Sequence, residues 1–187
     1  MPMPEPETPP ATDRQRTYAW SDPSPLVQHP ELSGLELLNR MGRDLPGPPI
    51  LDTLSIEIEE VGQGRVVFAM DPAEFHENPL GTVHGGVLAT LLDSATGCAV
   101  HSTLPAGVGY TTTSLTITYT RPVTPRTGRI RCVGTVLSRG RRTALAEAQV
   151  LDSADRLMAH ATSTLLVFSI DQNVPGGSDW VSRTRGR

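Results

Sequence analysis

The feature that most constrains the fold is a long apolar segment, starting at HGGVLATLLD, that contains a single carboxylate. Between Val83 and Val100 the only charged side chain is that of Asp93. At about 100° per residue, the bulkier residues fall on one stripe of a helix, namely Val87, Leu88, Leu91, Leu92, Ala95, Cys98 and Ala99. The opposite side lacks the Glu, Lys and Arg of a solvated face and carries Ala89, Thr90, Asp93, Ser94 and Gly97. The segment predicts a long helix covered on both sides, by its own sheet and by a second subunit or a ligand.

The isolated carboxylate needs a physical explanation. A buried carboxylate is costly unless it gains hydrogen-bonding partners or a proton. Asp93 lies too far from either end of the predicted helix to act as a cap. Two interpretations follow: a structural carboxylate bonded to backbone or hydroxyl groups across an interface, or a catalytic carboxylate.

The loop before this helix, NPLGTVHGG, contains groups suited to acyl chemistry. Gly85 and Gly86 cost helix stability compared with alanine, but they let another group approach the backbone closely. Free N–H groups of a first helical turn can hold a carbonyl oxygen as it gains negative charge. Asn78 and His84 add an amide and an imidazole, although they could equally be a turn residue and a histidine satisfied at the helix start. The loop predicts a backbone oxyanion site, with Thr82 or a neighbour as the helix cap.

The rest of the chain predicts an α+β fold. The runs LDTLSIEIEE and RVVFAMD, joined by VGQG, indicate a hairpin before the long helix. Four strand-like runs after it, separated by turn residues, indicate an antiparallel meander. The segment from Leu26 to Met41 predicts a short helix before both groups of strands, with Ser33 as its cap. Its apolar residues near helical spacing are Leu35, Leu37, Leu38 and Met41. A long helix within an antiparallel sheet is an α+β layout.

The 187 residues are enough for one well-packed domain with tails. Residues 1–25 form a predicted disordered, Pro-rich arm, residues 26–170 the domain, and residues 171–187 a polar tail. The sequence contains neither an apolar signal segment nor the run of about 18 apolar residues that a membrane span needs. Cys98 and Cys132 lack CxxC or His spacing partners, so disulfides and zinc are not expected. A cytoplasmic location, without membrane contact, is expected.

Charge is distributed unevenly along the chain, whose net charge is -4. From Ser94 to Ala146 there is no Asp or Glu, while arginines recur at Arg121, Arg126, Arg129, Arg131, Arg139, Arg141 and Arg142. This half of the fold could bind an anion. Nucleic acid is not expected as the partner, because the whole chain is acidic and aromatic residues are not interleaved among these arginines.

Several hydrolase and cofactor motifs are absent from the sequence. There is no G-x-S-x-G elbow, no H-E-x-x-H, no Walker A loop and no G-x-G-x-x-G after a strand. His76 and His84 make a poor metal pair without an acidic or cysteine cluster beside them. If the chain is a hydrolase, a carboxylate must perform the chemistry.

With N-x-x-G-x-x-H-G-G starting at Asn78, Asp93 nine residues after His84, and the strand TTSLTITYTRP, the chain resembles the hotdog-fold thioesterases. The resemblance is to the group named for phenylacetate degradation (PaaI-like), and it runs from Gly34 to Phe168. It implies a hotdog fold, in which an antiparallel sheet of about six strands wraps a long central helix. It also implies a homodimer, or a dimer of dimers, whose sheets join edge to edge.

The resemblance implies a role for each candidate catalytic residue. Asp93 would be the nucleophile on the thioester carbonyl or the general base for water, and the Gly85 N–H would be the oxyanion donor. Asn78 would orient the thioester or the water, His84 would set the loop, and Thr112 would hold the water or the acid. Asp93 of one subunit would face Asn78 and Gly85 of the other, which places the active sites at the dimer interface.

The implied substrate is an acyl-CoA thioester, and no cofactor or metal is implied beyond the CoA part of that substrate. Gly86 would allow close approach of CoA to the backbone. The acyl group would lie beside Ala89, Thr90 and Gly97, where an aryl or medium-length chain fits better than acetyl. The CoA phosphates would meet a turn that could also be an ordinary solvated hairpin, formed by Arg139, Gly140, Arg141 and Arg142.

Two alternatives to hydrolysis stay open. A hotdog hydratase would pair a catalytic His with an Asp in a different motif, which HGG followed by Asp93 does not match. A non-catalytic hotdog protein that binds acyl-CoA would keep its affinity when Asp93 is replaced, whereas an enzyme would lose rate and keep binding. The combination of Asn78, Gly85 and Asp93 favours the enzyme.

Overall fold

The structure is a computed structural model that describes residues 14–23 and 29–170. Much of the predicted arm, its boundary at residue 25 and the predicted tail 171–187 lie outside the described residues. The division into arm, domain and tail therefore stays a prediction. Residues 14–23 contain neither helix nor strand, yet Arg16 lies on the domain, with its guanidinium carbon 3.9 Å from the centre of the Phe75 ring.

The described residues form an α+β fold. The helices are α1 (Gly34–Arg40), α2 (Pro49–Leu54) and α3 (Gly85–His101). The strands are β1 (Ile56–Gly62), β2 (Arg65–Met70), β3 (Val108–Tyr119), β4 (Ile130–Arg139), β5 (Thr143–Leu151) and β6 (Leu157–Ser169). They form one antiparallel sheet in the order β1-β2-β4-β5-β6-β3, and α3 packs against it. The predicted long helix, six-stranded sheet and short N-terminal helix are confirmed.

Helix α2 differs from the sequence prediction. The run LDTLSIEIEE predicts one extended strand, but its first residues are helical and β1 begins at Ile56. Pro49 lies in the first turn, where its fixed φ favours a helix. Ser55 ends the helix in the left-handed conformation, with φ of 50°. This helical turn places Leu51 in the core.

The core lies between α3 and the inner face of the sheet. Leu91, Leu92 and Ala95 of α3 are fully buried, as the apolar stripe predicts. Phe68 and Cys132 contribute to the same cluster from neighbouring strands. Removal of these apolar side chains from water is the main force that holds the helix on the sheet.

Strand β3 forms one edge of the sheet. It pairs with β6 over its whole length, and within the described ranges no strand pairs with its other side. A bulge shifts the register between Thr112 and Ser114. A free edge of this length is a template for pairing with another chain.

The close approach of α3 to β4 depends on Gly134. A Cβ atom at Gly134 would lie 2.2 Å from the carbonyl oxygen of Ala95, which is part of the helix backbone. Any side chain at this position would therefore push the helix away from the sheet.

Replacement of Gly134 by Ala is expected to lower the free energy of unfolding by roughly 1–3 kcal/mol, the usual cost of overpacking a core. Gly47→Ala is the matched control, because a Cβ atom there has no neighbour within 4 Å. Urea denaturation of both variants tests the prediction. An unchanged midpoint for Gly134→Ala would contradict the packing of α3 on β4.

The loop that leads into α3 is anchored by His76, which is 1% exposed. Its Nδ1 accepts a hydrogen bond from the Ala73 N–H (3.0 Å), which places the ring proton on Nε2, where it donates to the Leu54 carbonyl oxygen (2.9 Å). Its own carbonyl oxygen accepts from the N–H of His84 (2.8 Å). Burial lowers the pKa of His76, so the neutral ring holds this loop.

The pKa of His76 is lower in the folded chain than its ordinary value of 6.5, so the neutral ring stabilises the fold above that pH. This contribution is lost as the pH falls below about 6.5, because the unfolded chain then binds the proton more readily. The free energy of unfolding should therefore decrease more between pH 7 and pH 5 in the wild type than in His76→Gln. At pH 7 the variant should be about 1–3 kcal/mol less stable.

Urea unfolding at several pH values measures both effects, with His29→Gln as the surface control. His29→Gln also removes an imidazole, from a position where the ring contacts Glu31 and no residue of this loop. The account of the loop fails if wild type and His76→Gln lose stability equally on acidification.

Candidate functional site

Asp93 lies on a half-buried face of α3, opposite the core. Its Oδ1 accepts a hydrogen bond from the Thr112 hydroxyl at 2.9 Å. In the described part of the chain, the carboxylate forms no salt bridge and its second oxygen accepts no hydrogen bond. The structure therefore brings two predicted site residues together and leaves one carboxylate oxygen available.

Helix α3 begins at Gly85, and its N-cap is His84 rather than Thr82. The Nδ1 atom of His84 accepts a hydrogen bond from the Gly86 N–H at 2.9 Å. The Gly85 N–H donates to no acceptor within residues 14–23 and 29–170. An N–H at the positive end of a helix can bind an oxygen that carries negative charge.

Neighbouring side chains explain why positions 85 and 86 are both glycine. A Cβ atom on Gly85 would lie 3.2 Å from the Tyr119 hydroxyl oxygen, and that hydroxyl donates to the Gly85 carbonyl oxygen at 2.8 Å. A Cβ atom on Gly86 would lie 3.0 Å from Nδ1 of His84. The cap therefore explains Gly86 without a ligand. Tyr119 is a site residue missed by sequence reasoning, because only the fold brings the end of β3 to the start of α3.

Asn78 closes its own loop. Its Nδ2 donates to the Thr82 hydroxyl (2.9 Å), and its Oδ1 accepts from the Leu80 N–H (2.9 Å). Within one subunit it is a turn residue, which is one of the two interpretations that the sequence leaves open. The second hydrogen of its amide donates to no acceptor among the described residues.

The predicted site residues form two groups within one subunit. Asp93 and Thr112 form the first, and Asn78, His84 and Gly85 lie together at the start of α3. Eight residues of helix separate Gly85 from Asp93, which corresponds to a rise of about 12 Å. One thioester carbonyl therefore cannot contact both groups of the same subunit.

A cavity of about 300 Å³ opens at the start of α3. Gly85, Leu88 and Tyr119 line it, together with residues 120–123 of the chain that follows β3. Gly85, whose N–H donates to no acceptor among the described residues, therefore lies beside an open space.

A second cavity, of about 450 Å³, lies at the other end of β3. We call it the arginine pocket; it is lined by Val108, Arg139, Arg141, Arg142, Leu166, Val167, Phe168 and Ser169. Gly140 closes the hairpin beside it, with its N–H donating to the Thr143 carbonyl oxygen at 2.8 Å. The structure thus places the predicted CoA-binding turn at a cavity.

The arginines of this pocket differ from others on the sheet. Arg129 forms salt bridges with Glu57 and Asp71, and Arg131 forms one with Glu59. In the described ranges no acidic side chain pairs with the guanidinium groups of Arg139, Arg141 and Arg142, which are exposed. Adjacent unpaired positive charges attract an anionic ligand.

Gly97 does not offer the open space that its size suggests. The Tyr110 side chain covers it, and a Cβ atom on Gly97 would lie 2.9 Å from the Tyr110 hydroxyl oxygen. The expectation of an acyl group beside Gly97 is therefore corrected: Ala89 and Thr90 remain half-exposed on this face, whereas Gly97 is buried.

Residues 14–23 and 29–170 contain no group of three or more His, Cys, Asp and Glu side chains that could hold a metal ion. Both cysteines are free, and burial, with the charge of Asp93 nearby, raises the pKa of Cys98 to about 12. None of the helices described is both long and apolar enough to cross a membrane.

Known proteins share sequence and fold with this chain. Residues 80–159 match the family described as the thioesterase superfamily. The segment includes the start of α3, Asp93 and Thr112, but not Asn78. An inferred esterase of Halobacterium salinarum is 32% identical over 118 residues, which is 60% of this chain and 76% of that protein.

Solved structures share the fold. An inferred thioesterase of Ralstonia eutropha, related to phenylacetic acid degradation, is 28% identical with a TM-score of 0.63, covering 68% of this chain and 97% of its own. The smu.793 protein of Streptococcus mutans, bound to acetyl-CoA, is 24% identical with a TM-score of 0.56, covering 61% of this chain and 89% of its own. The chain therefore belongs to the thioesterase superfamily, in its PaaI-like hotdog group.

Proposed function

We propose that this protein hydrolyses acyl-CoA thioesters to the free acid and CoA at a site shared by two subunits. The observation that carries the proposal is a pair of available groups on α3, the Asp93 carboxylate held by Thr112 and the free N–H of Gly85. Membership of the thioesterase superfamily supports a hydrolase. The acetyl-CoA bound to the Streptococcus mutans protein supports CoA as the carrier.

The free edge of β3 supports a site built from two subunits. A two-fold axis between two copies pairs their edge strands in antiparallel directions. Asp93 lies beside Thr112, and Gly85 lies beside Tyr119, near the end of the same strand. Pairing that sets Thr112 opposite Tyr119 of the other copy brings each Asp93 next to the other subunit's Gly85. The proposed assembly is this homodimer, alone or as a dimer of dimers.

The carboxylate can act in two ways. Its free oxygen attacks the thioester carbonyl and forms an anhydride that water then cleaves, or it accepts a proton from water as that water attacks. In both cases the carbon–sulfur bond breaks and CoA leaves as a thiolate that takes up a proton. The carbonyl oxygen gains negative charge, which the Gly85 N–H and the helix dipole stabilise. Thr112 binds the other carboxylate oxygen and fixes its orientation.

The loop residues hold this donor in place. By accepting the Gly86 N–H, His84 fixes the first turn of α3 and leaves the Gly85 N–H directed at the substrate. Asn78 donates one amide hydrogen to the Thr82 hydroxyl, and its second amide hydrogen is available to the thioester or the water.

CoA and the acyl group lie on opposite sides of Asp93 in this proposal. The arginine pocket begins at Val108, four residues before Thr112 on β3 and therefore about 14 Å away. The extended pantetheine arm of CoA spans that distance, so the phosphates reach the guanidinium groups.

The acyl group then lies toward the start of α3. Tyr110 fills the space over Gly97, whereas Ala89 and Thr90 present small side chains on the other side of Asp93. This direction leads to the interface between subunits. No cofactor is needed, and a cytoplasmic location is part of the proposal, since two free thiols, one half-buried and one buried, fit a reducing compartment.

Release of free thiol from short, medium, long and aryl acyl-CoAs tests the proposal with Asp93→Asn. The variant should lose at least about 100-fold in kcat while CoA binding is unchanged, because the amide is neither nucleophile nor base. Asp155→Asn is the matched control, since Asp155 lies in the exposed turn between β5 and β6 with φ of 55°, a conformation that Asn also adopts.

Turnover by wild type that survives in a folded Asp93→Asn would show that the carboxylate is structural. If no acyl-CoA is turned over but CoA still binds, the protein is the non-catalytic acyl-CoA-binding alternative.

The arginine pocket gives a second prediction, on salt dependence. Replacement of Arg141 and Arg142 by Gln should raise KM for acyl-CoA about tenfold at low salt with little change in kcat, because two charged hydrogen bonds to phosphate are lost. The increase of KM with salt should also become smaller than in wild type. Arg43→Gln, at an exposed arginine after α1, is the control. If the double variant keeps the wild-type KM, these arginines do not bind the substrate.

A further inference from the structure

The arginine pocket combines two chemistries. Unpaired guanidinium groups of the β4–β5 hairpin form one side, and apolar side chains from the ends of β3 and β6 form the other. Phe168 is the aromatic residue of that apolar side, and 43% of it is exposed. An aromatic ring that stays partly exposed beside a cavity offers a flat surface to a ligand.

Neighbouring residues hold this ring in place. Gly109 pairs with Phe168 across β3 and β6. A Cβ atom on Gly109 would lie 3.1 Å from the Phe168 ring and 3.0 Å from Ile170, so the absence of a side chain lets the ring lie against the β3 backbone. A ring fixed by packing loses little entropy when a ligand stacks on it.

The arginines alone leave the acyl carrier ambiguous. Three guanidinium groups that have no acidic partner in the described part of the chain attract the phosphates of CoA, but they also attract an acidic protein surface such as that of an acyl carrier protein. The two carriers differ in one group, because CoA has an adenine ring and the phosphopantetheine arm of a carrier protein has none. Purine rings stack on aromatic side chains, so an aromatic residue beside the arginines favours CoA.

We propose that Phe168 is a specificity-determining residue that stacks on the adenine of CoA, and that the protein therefore acts on CoA-linked rather than carrier-protein-linked acyl groups. This inference rests on the proposed thioesterase function. The pocket volume of about 450 Å³ is in the range that binds small molecules. Adenine then lies on Phe168, and the phosphates lie against the guanidinium groups of Arg141 and Arg142.

The test compares Phe168→Ala and Phe168→Trp with wild type on the same acyl group carried by CoA, by pantetheine and by an acyl carrier protein. Phe168→Ala should raise KM for acyl-CoA by the order of tenfold, the usual effect of one lost base stack, with kcat unchanged. It should leave kcat/KM for acyl-pantetheine at the wild-type value, because that substrate has no adenine. Phe168→Trp should keep the wild-type KM, and Leu137→Ala, an exposed apolar residue of β4, is the control.

Calorimetric titration with CoA itself separates failure of this inference from failure of the proposed function. Weaker CoA binding by Phe168→Ala supports the stacking role, whether or not the wild type turns over any substrate. Absence of turnover by the wild type removes the thioesterase proposal. Equal losses on acyl-CoA and acyl-pantetheine would make Phe168 a structural residue. A kcat/KM that is higher for the carrier protein than for CoA would overturn the assignment of the carrier.

Discussion

The rest of the structure depends on a helix, α3, whose two sides have different surroundings. One side of α3 is fully buried against the sheet, and the other carries small residues around a half-buried carboxylate without a cationic partner among the described residues. This face lacks the long charged side chains of an ordinary solvated helix, and the strand next to it, β3, has an edge that pairs with no strand among the described residues. In the proposed dimer a second copy accounts for both features, because pairing of the β3 edges would cover the small face and bring a new helix start to each Asp93.

The same constraint is the reason for proposing a site divided between two subunits. The proposed oxyanion donor, the Gly85 N–H, belongs to the first residue of α3, where N–H groups have no partner within the helix. The carboxylate lies two turns later, where Thr112 of β3 can hold it. About 12 Å of helix separates them, a distance that no side-chain movement closes. The proposed antiparallel pairing of two copies would remove that distance without any change inside either subunit.

Periodicity and composition were sufficient to predict the parts of this fold that local physics controls. The apolar stripe of α3 and the alternation of the later strands predict their elements, and the fold class is confirmed. Helix α2 was not predictable from alternation, because Pro49 and Ser55 override the apolar pattern of LDTLSIEIEE through backbone conformation.

The site was predictable only in part. The sequence brings Asn78, His84 and Gly85 to one loop, and the resemblance pairs Asp93 with Thr112, a contact that the structure contains. The sequence did not predict three contacts in which an aromatic ring lies against a glycine that is distant along the chain. These are Tyr119 against Gly85, Tyr110 against Gly97 and Phe168 against Gly109. In each case the sequence contains both residues, but only the fold shows that the ring lies against the glycine.

Complementation between two inactive variants tests the shared site most directly. Gly85→Pro removes the donor N–H at a helix position that accepts proline, and Gly85→Ala, with a side chain but an intact N–H, is its control. Gly85→Pro and Asp93→Asn, each inactive alone, should recover about a quarter of wild-type activity when mixed equally and allowed to exchange subunits, since half of the dimers then have one intact site of two. Activity of the mixture no higher than that of either variant alone would contradict a site that joins Asp93 of one subunit to Gly85 of the other.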